Sequence, residues 1–280
     1  MLALMNSDRF ADKAPRQVYA ELLDDGVYHC SPRTMYRILD ANQLVRERRD
    51  QLRHPSYAKP ELLATKPNQV WSWDITKLLG PQKWTYYYLY VVLDVFSRYA
   101  VGWMVATKES AALAQRLIAD SCAKQKVAAG QLTIHADRGA PMTAKSTALL
   151  MADLGITKTH SRPHVSDDNP FSEAQFKTLK YRPEFPERFG SPEGARSAVG
   201  PLMRWYNEEH YHSGLALLTP HQVHYGLADE VIAQRQRVLD AARAANPERF
   251  VRGAPRHPAP PREAWINQPS KPTTSEKAAH

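Results

Sequence analysis

The stretch "QVWSWDITKLL", residues 69–79, alternates apolar and polar side chains in the manner of a β-strand. In this pattern Trp71 and Trp73 point to one face of the strand, and Asp74 points to the other. The run "KWTYYYLYVVLDVFSRYAVGWMVA", residues 83–106, is aromatic and β-branched and breaks at "DVFSR", which predicts two more strands joined by a tight turn. The simplest arrangement of the three strands is antiparallel.

The residues that follow alternate between helical and strand patterns. Helices are predicted over "ESAALAQRLIADSCAKQ" and "TAKSTALLMADLG", and short strands over "LTIHAD" and "ITKTH". Gly155 stands where the second of these helices would end. A further helix contains Glu173. The predicted order βββαβαβα is that of a mixed α/β sheet with flanking helices.

Three acidic residues occupy informative positions in this pattern. Asp74 lies in the middle of a strand, Asp137 follows a short strand in "IHADRGA", and Glu173 lies on a helix, with 35 residues between it and Asp137. Each of them alone is more often a turn former or a helix cap than a functional group. Together they would bring carboxylates from a central strand, a neighbouring strand end and a crossing helix to one place, and this favours a functional site.

The N-terminal region predicts two short helices around a turn. Apolar residues recur at helical spacing in "APRQVYAELLDD" and again in "SPRTMYRILDANQLV", where Ser31 and Pro32 suit an N-cap and a first helical position. With the basic "RERRDQLR" that follows, the pattern is typical of a helix-turn-helix whose second helix would carry Arg33 and Arg37 to DNA. An ordinary helical hairpin with a solvated charged face fits the pattern equally well.

The composition favours a soluble chain with a polyanionic partner. Lys and Arg number 37 against 29 Asp and Glu, a formal net charge of +8, which favours nucleic acid over an acidic small molecule. The two cysteines, Cys30 and Cys122, are far apart in sequence and suit a reducing cytoplasm better than a disulfide framework. No stretch approaches the roughly 18 to 20 apolar residues of a membrane span. We therefore expect a cytoplasmic protein without a membrane partner.

Five motifs resemble a known family. They are "WSWDITKL", "LDVFSRYAVGW", "IHADRGA", "DDNPFSEAQFKTLK" and "RWYNEEHYHSGLALLTPHQVHYG". In this order, and with the 35-residue spacing, they are similar to the catalytic subunit of bacterial insertion-sequence transposases of the second-reading-frame type, within the retroviral-integrase superfamily. The resemblance implies a ribonuclease-H-like fold with Asp74, Asp137 and Glu173 as a catalytic DDE triad.

The same resemblance implies a metal-dependent reaction on DNA. Three carboxylates supply hard oxygen ligands for two Mg²⁺ ions, typically about 3.5 to 4 Å apart, with Mn²⁺ as a substitute. Water would be the nucleophile that cleaves a DNA strand at the end of the insertion sequence. The freed 3′-hydroxyl would be the nucleophile that joins this end to target DNA. The expected partners are DNA, further copies of the chain that pair two DNA ends, and an upstream-frame transposase protein. Bound to DNA, the chain would be associated with the nucleoid.

Several neighbouring residues admit two interpretations. Lys177 and Lys180 share a helical face with Glu173 and either offset its charge in solvent or contact DNA phosphates, as lysines at these spacings do in related integrases. Asp167 and Asp168 precede an Asn-Pro step and suit the start of the helix, where they would interact with its positive end.

The histidines and Asp94 give weaker signals. The histidines of "HYH", residues 210–212, and "HQVH", residues 221–224, lack the cysteines or acidic partners of a zinc site. His135 either packs within its strand or lies beside the metal site. Asp94 is expected to be a turn residue.

We predict five segments and one leading function. The segments are a helix-turn-helix-like DNA-binding segment at 1–53, a linker at 54–67, an integrase-type catalytic core at 68–226, a charged helix at 227–252 and a disordered, proline-rich tail at 253–280. The expected function is that of a transposase that cleaves and transfers DNA strands. The alternatives are a catalytically silent DNA-binding relic of a mobile element and a nuclease on the same fold.

Overall fold

The computed structural model describes residues 1–11, 13–42, 59–162 and 168–269. The basic stretch 46–53, Asp167 and the tail from residue 270 onward, all of which enter the sequence predictions, lie outside the described residues. By its internal contacts the chain divides into two units, residues 1–57 and residues 58–280.

The first unit contains the predicted pair of helices. Its helices are α1 (Leu2–Met5), α2 (Pro15–Asp24) and α3 (Pro32–Ala41). Ser31 is the N-cap of α3, and its hydroxyl accepts a hydrogen bond from the Thr34 backbone N–H at 3.4 Å. One face of each helix is buried in a small apolar cluster formed by Met5, Phe10, Val18, Leu22, Met35 and Leu39. Thus α2 and α3 form where the sequence predicts two helices, whereas α1 was not predicted, and a role in DNA binding stays a prediction.

The second unit is built on a mixed β-sheet. Its strands in chain order are β1 (Leu62–Ala64), β2 (Val70–Leu79), β3 (Tyr86–Asp94), β4 (Ala100–Ala106), β5 (Thr133–Ala136), β6 (Thr157–His160) and β7 (Ala264–Ile266). In the described residues, five of these form one sheet in the order β4-β3-β2-β5-β6. β2, β3 and β4 are antiparallel, whereas β5 runs parallel to β2 and β6 parallel to β5. The predicted ribonuclease-H-like mixed sheet is confirmed.

Helices cover both faces of this sheet. They are α4 (Ala111–Gln125), α5 (Ala140–Thr143), α6 (Lys145–Asp153), α7 (Pro170–Lys180) and α8 (Pro192–Glu208). Two further helices follow, α9 (Pro220–His224) and α10 (Ala228–Ala245), and α9 packs against α8 and α10. Trp71 and Trp73 are fully buried on the face that packs against α4, α5 and α6. Leu78, from the other side of β2, packs with Phe176 and Leu179 of α7 and with α8. The alternation along β2 therefore places its side chains in two separate apolar cores, one on each face of the sheet.

A glycine brings α4 close to the edge strand β4. A Cβ atom added to Gly102 would meet the Ser121 hydroxyl and come within 3.2 Å of a Leu117 methyl group. The Ser121 hydroxyl is itself held by the Leu117 carbonyl oxygen at 2.7 Å. Because both neighbours belong to α4, the absence of a side chain at this position sets the distance between helix and strand.

Two short strands correct the predicted segment boundaries. β1 lies within the predicted linker, and β7 lies within the tail that is predicted to be disordered from residue 253. They pair antiparallel, with Leu62 opposite Ile266 and Ala64 opposite Ala264. The prediction of disorder is wrong for residues 264–266, because Ala264 and Ile266 are buried in an apolar cluster of the second unit. These three apolar residues are too few to show a strand period within a proline-rich segment.

The charged helix predicted over 227–252 is shorter in the structure. α10 ends at Ala245, and a 3₁₀ turn follows at Pro247–Arg249. None of the helices in the described ranges combines the length and the apolar character that a bilayer crossing requires.

Candidate active site

Asp74 lies on the polar side of β2. Neighbouring residues of a strand face opposite sides, so the burial of Trp71 and Trp73 on one face turns Ser72 and Asp74 toward α7. Asp74 Oδ1 accepts a hydrogen bond from the Ile75 backbone N–H at 2.7 Å. This position on β2 agrees with the sequence prediction.

Asp137 reaches the same region from the neighbouring strand. β5 runs parallel to β2 with Ala136 opposite Trp73, so the residues that follow these two, Asp137 and Asp74, lie side by side at the end of the ladder. The Ser161 hydroxyl, just past β6, donates to Asp137 Oδ1 at 2.6 Å. The parallel pairing thus gives each of two adjacent strands one carboxylate.

Glu173 is held over the sheet by a buried hydroxyl cluster. Ser72 of β2 donates to the side-chain oxygen of Asn169, the N-cap of α7, and forms a short hydrogen bond with the Ser172 hydroxyl. All three polar side chains are buried. Because Ser72 is two residues before Asp74 and Ser172 is one residue before Glu173, the cluster fixes the helix carboxylate relative to the strand carboxylate. We call Ser72, Asn169 and Ser172 the hydroxyl cluster.

The electrostatics of Asp74 connect the three carboxylates. The pKa of Asp74 is raised to about 7, chiefly by burial and in addition by the negative charges of Asp137 and Glu173, against the opposing effects of the Ile75 N–H and Lys180. Among the described residues, no three His, Cys, Asp or Glu side chains lie close enough together to hold a metal ion as they stand. The three carboxylates are therefore close enough to influence the pKa of Asp74. They do not form a complete set of metal ligands as they stand.

The chemistry of this donor set fits a hard divalent cation. Carboxylate oxygens are the ligands that Mg²⁺ and Mn²⁺ prefer, and Mg²⁺ commonly keeps several water ligands beside one or two carboxylates. A cation at this place would stabilise the charged form of Asp74, which burial chiefly, and repulsion from Asp137 and Glu173 in addition, disfavours. Asp74, Asp137 and Glu173 are thus suited to hold the metal that the resemblance implies.

The two lysines after Glu173 differ in their surroundings. Lys177 is exposed and lines a groove of about 400 Å³ together with Glu173, Phe176, Lys180 and Tyr181. The ammonium group of Lys180 donates to the Thr76 hydroxyl at 2.6 Å. Burial lowers the pKa of Lys180, while the charge of Asp74 raises it. The acidic partner of Lys180 is therefore Asp74 on β2. The spacing along the helix alone suggests Glu173 instead.

Asp168 lies at the start of α7, as the sequence predicts, but its carboxylate is bound by side chains outside the helix. Its carboxylate is fully buried and accepts hydrogen bonds from the backbone N–H of Arg162 at 2.8 Å and from the Arg162 side chain at 3.0 Å. Asn267 donates to the same carboxylate at 2.9 Å. The carboxylate thus binds a guanidinium group and an amide, and Asn169 is the N-cap of α7, as the Asn-Pro step predicts.

His135 satisfies both of the interpretations left open by the sequence. It is fully buried, its Nδ1 lies 2.9 Å from the Thr159 hydroxyl, and its Nε2 donates to the Asp168 carbonyl oxygen at 2.9 Å. It also lies beside the site, because its Nε2 is 3.2 Å from the same Ser161 hydroxyl that binds Asp137. His135 is thus a packed strand residue next to a candidate metal ligand.

Asp94 and the later histidines are engaged in structural contacts. Asp94 is fully buried; its side chain accepts hydrogen bonds from the backbone and hydroxyl of Ser97 and from the Asn68 backbone N–H, all at 2.7 Å. His224 lies 2.8 Å from the same Ser97 hydroxyl and 2.9 Å from the Gln125 side-chain oxygen. The expected turn role of Asp94 agrees with these contacts.

Arg33 and Arg37, the proposed DNA contacts of the first unit, lie on the exposed face of α3. With Thr34, Tyr36 and Asp40 they line an open depression of about 590 Å³. Met35 and Leu39 occupy the opposite, buried side of the helix. The two arginines are thus free to meet a ligand in solvent, and nothing in their position assigns one.

Sequence reasoning missed the residues that support the carboxylates. Ser72, Ser161 and Asn267 hydrogen-bond to residues 24 to 100 positions away in the chain. Ser72 carried a weak signal, since it precedes Asp74 on the same face of a strand. Nothing in the local sequence pointed to Asn267.

The fold and the site together define the class of protein. Two family models, both described as integrase core domain, match residues 64–166 and 154–220. Residues 64–220 of the second unit are thus similar to an integrase core domain, and the chain is similar to insertion-sequence transposases.

Among these relatives is the transposase for insertion sequence element IS904 of Lactococcus lactis, 30% identical over 171 residues that make up 59% of this chain and 66% of the relative. Transposase InsF for insertion sequence IS3A of Escherichia coli is 29% identical over 163 residues, 58% of this chain and 56% of the relative. The matches thus span less than two thirds of the length of either relative. A solved structure of the HTLV-2 integrase catalytic core domain in complex with magnesium is 17% identical, with a TM-score of 0.43 over 57% of this chain and 97% of that chain.

Proposed function

We propose that this chain is a DDE-type transposase that cleaves DNA strands at the ends of an insertion sequence and transfers them to a target. The observation that carries the proposal is the convergence of Asp74, Asp137 and Glu173 beside β2, where burial chiefly, and the charges of the other two in addition, raise the pKa of Asp74. The proposal is also supported by the transposases to which the chain is similar.

In the proposed mechanism, Asp74, Asp137 and Glu173 would hold two Mg²⁺ ions. When bound, such ions activate the attacking oxygen and stabilise the leaving oxygen of an in-line phosphoryl transfer. Ser161 orients Asp137 through its hydrogen bond, and the hydroxyl cluster keeps Glu173 over β2.

DNA binding is assigned to the basic residues near the site and on α3. Lys177 faces the groove beside Glu173 and is placed to bind a phosphate. Lys180 compensates the charge of Asp74 and is the second candidate phosphate ligand. Arg33 and Arg37 are proposed to bind DNA from the first unit. We further propose that two or more copies act together on DNA, because two element ends have to be joined.

The test is cleavage and joining of labelled element-end DNA by the purified protein with Mg²⁺ or Mn²⁺. Asp137→Asn and Glu173→Gln each remove an anionic metal ligand and are expected to abolish both reactions while DNA binding persists. The matched controls are Asp153→Asn and Glu187→Gln, which neutralise exposed acidic residues elsewhere in the second unit. They should cleave as the parent chain does.

Three outcomes would redirect the proposal. Full activity of either triad variant would remove that residue from the site. Binding without cleavage by the parent chain would favour a silent DNA-binding relic. Cleavage without joining would favour a nuclease on the same fold.

A further inference from the structure

We propose that Asn267, at the end of β7, is a positioning residue for the candidate active site and acts through Asp168. The inference rests on the roles of Asp137 and Glu173 in the proposed function. Asn267 lies beyond residues 64–220, which the integrase-core models match. It therefore adds a residue from the C-terminal segment to a site that the core alone appeared to supply.

Apolar contacts fix β7 beside the first turn of α7. Ala264 and Ile266 are buried in a cluster with Val70 of β2, and Phe171 of α7 packs against the same cluster. Phe171 is two residues before Glu173. A displacement of β7 would therefore be transmitted through Phe171 to α7, the helix that carries Glu173.

A hydrogen bond from Asn267, the residue after β7, reaches the buried carboxylate of Asp168, the residue before the N-cap of α7. Asn267 Nδ2 donates to Asp168 Oδ1 at 2.9 Å, and Arg162 binds the same carboxylate through its backbone and its side chain. Burial alone would disfavour the charged carboxylate, but the hydrogen bonds from Arg162 and Asn267 outweigh it and lower the pKa of Asp168 to about 2. The carboxylate therefore stays charged at neutral pH and holds both donors.

A second branch of the same network leads to Asp137. The backbone carbonyl of Asp168 accepts from His135 Nε2, which lies 3.2 Å from the Ser161 hydroxyl. That hydroxyl donates to Asp137 Oδ1. Asp168 therefore connects the hydrogen bonds that reach Asp137 with the start of α7, the helix that carries Glu173. Asn267 binds the side chain of Asp168 from the C-terminal side of the integrase core.

Outer hydrogen-bond partners of metal ligands keep those ligands in place, and their loss typically costs about 10- to 100-fold in metal affinity or activity. Ser161 is such a partner of Asp137, and Asn267 lies three contacts further out, through Asp168 and His135, so an effect no larger than the lower end of that range is expected. Its backbone has φ of 57°, a left-handed conformation that Asn and Gly adopt more readily than other residues. Asn267→Gly can therefore remove the amide without forcing the backbone, and Asn267→Asp keeps the shape while replacing the donor with a carboxylate that faces Asp168.

The experiment measures two properties of the full-length chain. With Mn²⁺ and element-end DNA, Asn267→Gly should lower kcat for cleavage about tenfold with little change in KM, and Asn267→Asp should lower it further. Without metal or DNA, amide hydrogen exchange in residues 169–173 should be faster in both variants. Gln268→Gly, the exposed neighbour, is the matched control and should leave both properties unchanged.

The second property separates this inference from the proposed function. If Glu173→Gln cleaves normally, the proposed role of Glu173 fails, yet the exchange of residues 169–173 still tests the contact of Asn267. If Glu173→Gln is inactive while Asn267→Gly retains the parent kcat and exchange, the positioning role is overturned. A change in KM alone, or loss of protection in α4 as well as in residues 169–173 in both variants, would also overturn it.

Discussion

Ser72 is an uncharged side chain that helps to fix the position of the charged side chain of Glu173. Its hydroxyl is fully buried between β2 and α7 and interacts with both Asn169 and Ser172. A buried polar group that loses its partner costs about 1 to 3 kcal/mol. The alternation in "WSWDITKLL" is enough to place Asp74 on the polar side of its strand, but the partners of Ser72 lie about 100 residues away and leave no trace in the local pattern.

Substitution of the two serines tests this cluster. Ser72→Ala and Ser172→Ala should each lower the free energy of unfolding by about 1 to 3 kcal/mol, because each leaves a buried hydroxyl or amide without its partner. The double variant should cost less than the sum of the two single variants, since both remove the same hydrogen bond.

Urea denaturation provides the measurement. Ser146→Ala, an exposed serine on α6, is the control and should be close to neutral. Strict additivity of Ser72→Ala and Ser172→Ala would contradict a shared hydrogen bond.

At the scale of the element, the strongest sequence patterns gave the correct result. β2, β3 and β4 follow from long alternating or β-branched runs, and the helices α4 and α6 follow from apolar spacing, so the central sheet was predictable. β1 and β7 were not, because a pair of three-residue strands is defined by partners 200 positions apart rather than by either local sequence. The order of pairing, with β5 beside β2, was available only through the resemblance.

The packing of α4 on β4 gives a prediction at this scale. Gly102→Ala should lower the free energy of unfolding by about 1 to 3 kcal/mol, because the new methyl group meets Ser121 and Leu117 in a filled interior. Gly190→Ala is the control: no described atom lies within 4 Å of its added Cβ. Thermal unfolding of both variants checks the result, and equal midpoints would show that α4 can move away from the sheet without cost.

At the scale of the whole molecule, the net charge of +8 favours DNA, but it does not say which unit binds it. The arginines of α3 are exposed in the first unit, and the lysines of α7 border the site in the second. A phosphate contact contributes to binding at any sequence and makes binding sensitive to salt. The contribution of each unit can therefore be separated by the salt dependence of its variants.

Arg33→Ala combined with Arg37→Ala should weaken DNA binding and reduce the slope of log affinity against log salt by about 1 for each lost phosphate contact. Fluorescence anisotropy over a range of salt concentrations gives both values. Arg16→Ala, an exposed arginine on α2, is the control. An unchanged slope in the double variant would favour the ordinary helical hairpin over the helix-turn-helix.

The pairing of β1 with β7 also bears on how the protein is made. Synthesis runs from the N-terminus, so β1 emerges from the ribosome long before Ala264–Ile266 exists, and its edge stays without this partner until then. Contacts between residues so distant in sequence form slowly, because the loop between them has to close first. A newly made chain would therefore acquire the sheet and the three carboxylates before it acquires the strand that steadies them, and full competence on DNA would come only after translation has passed β7.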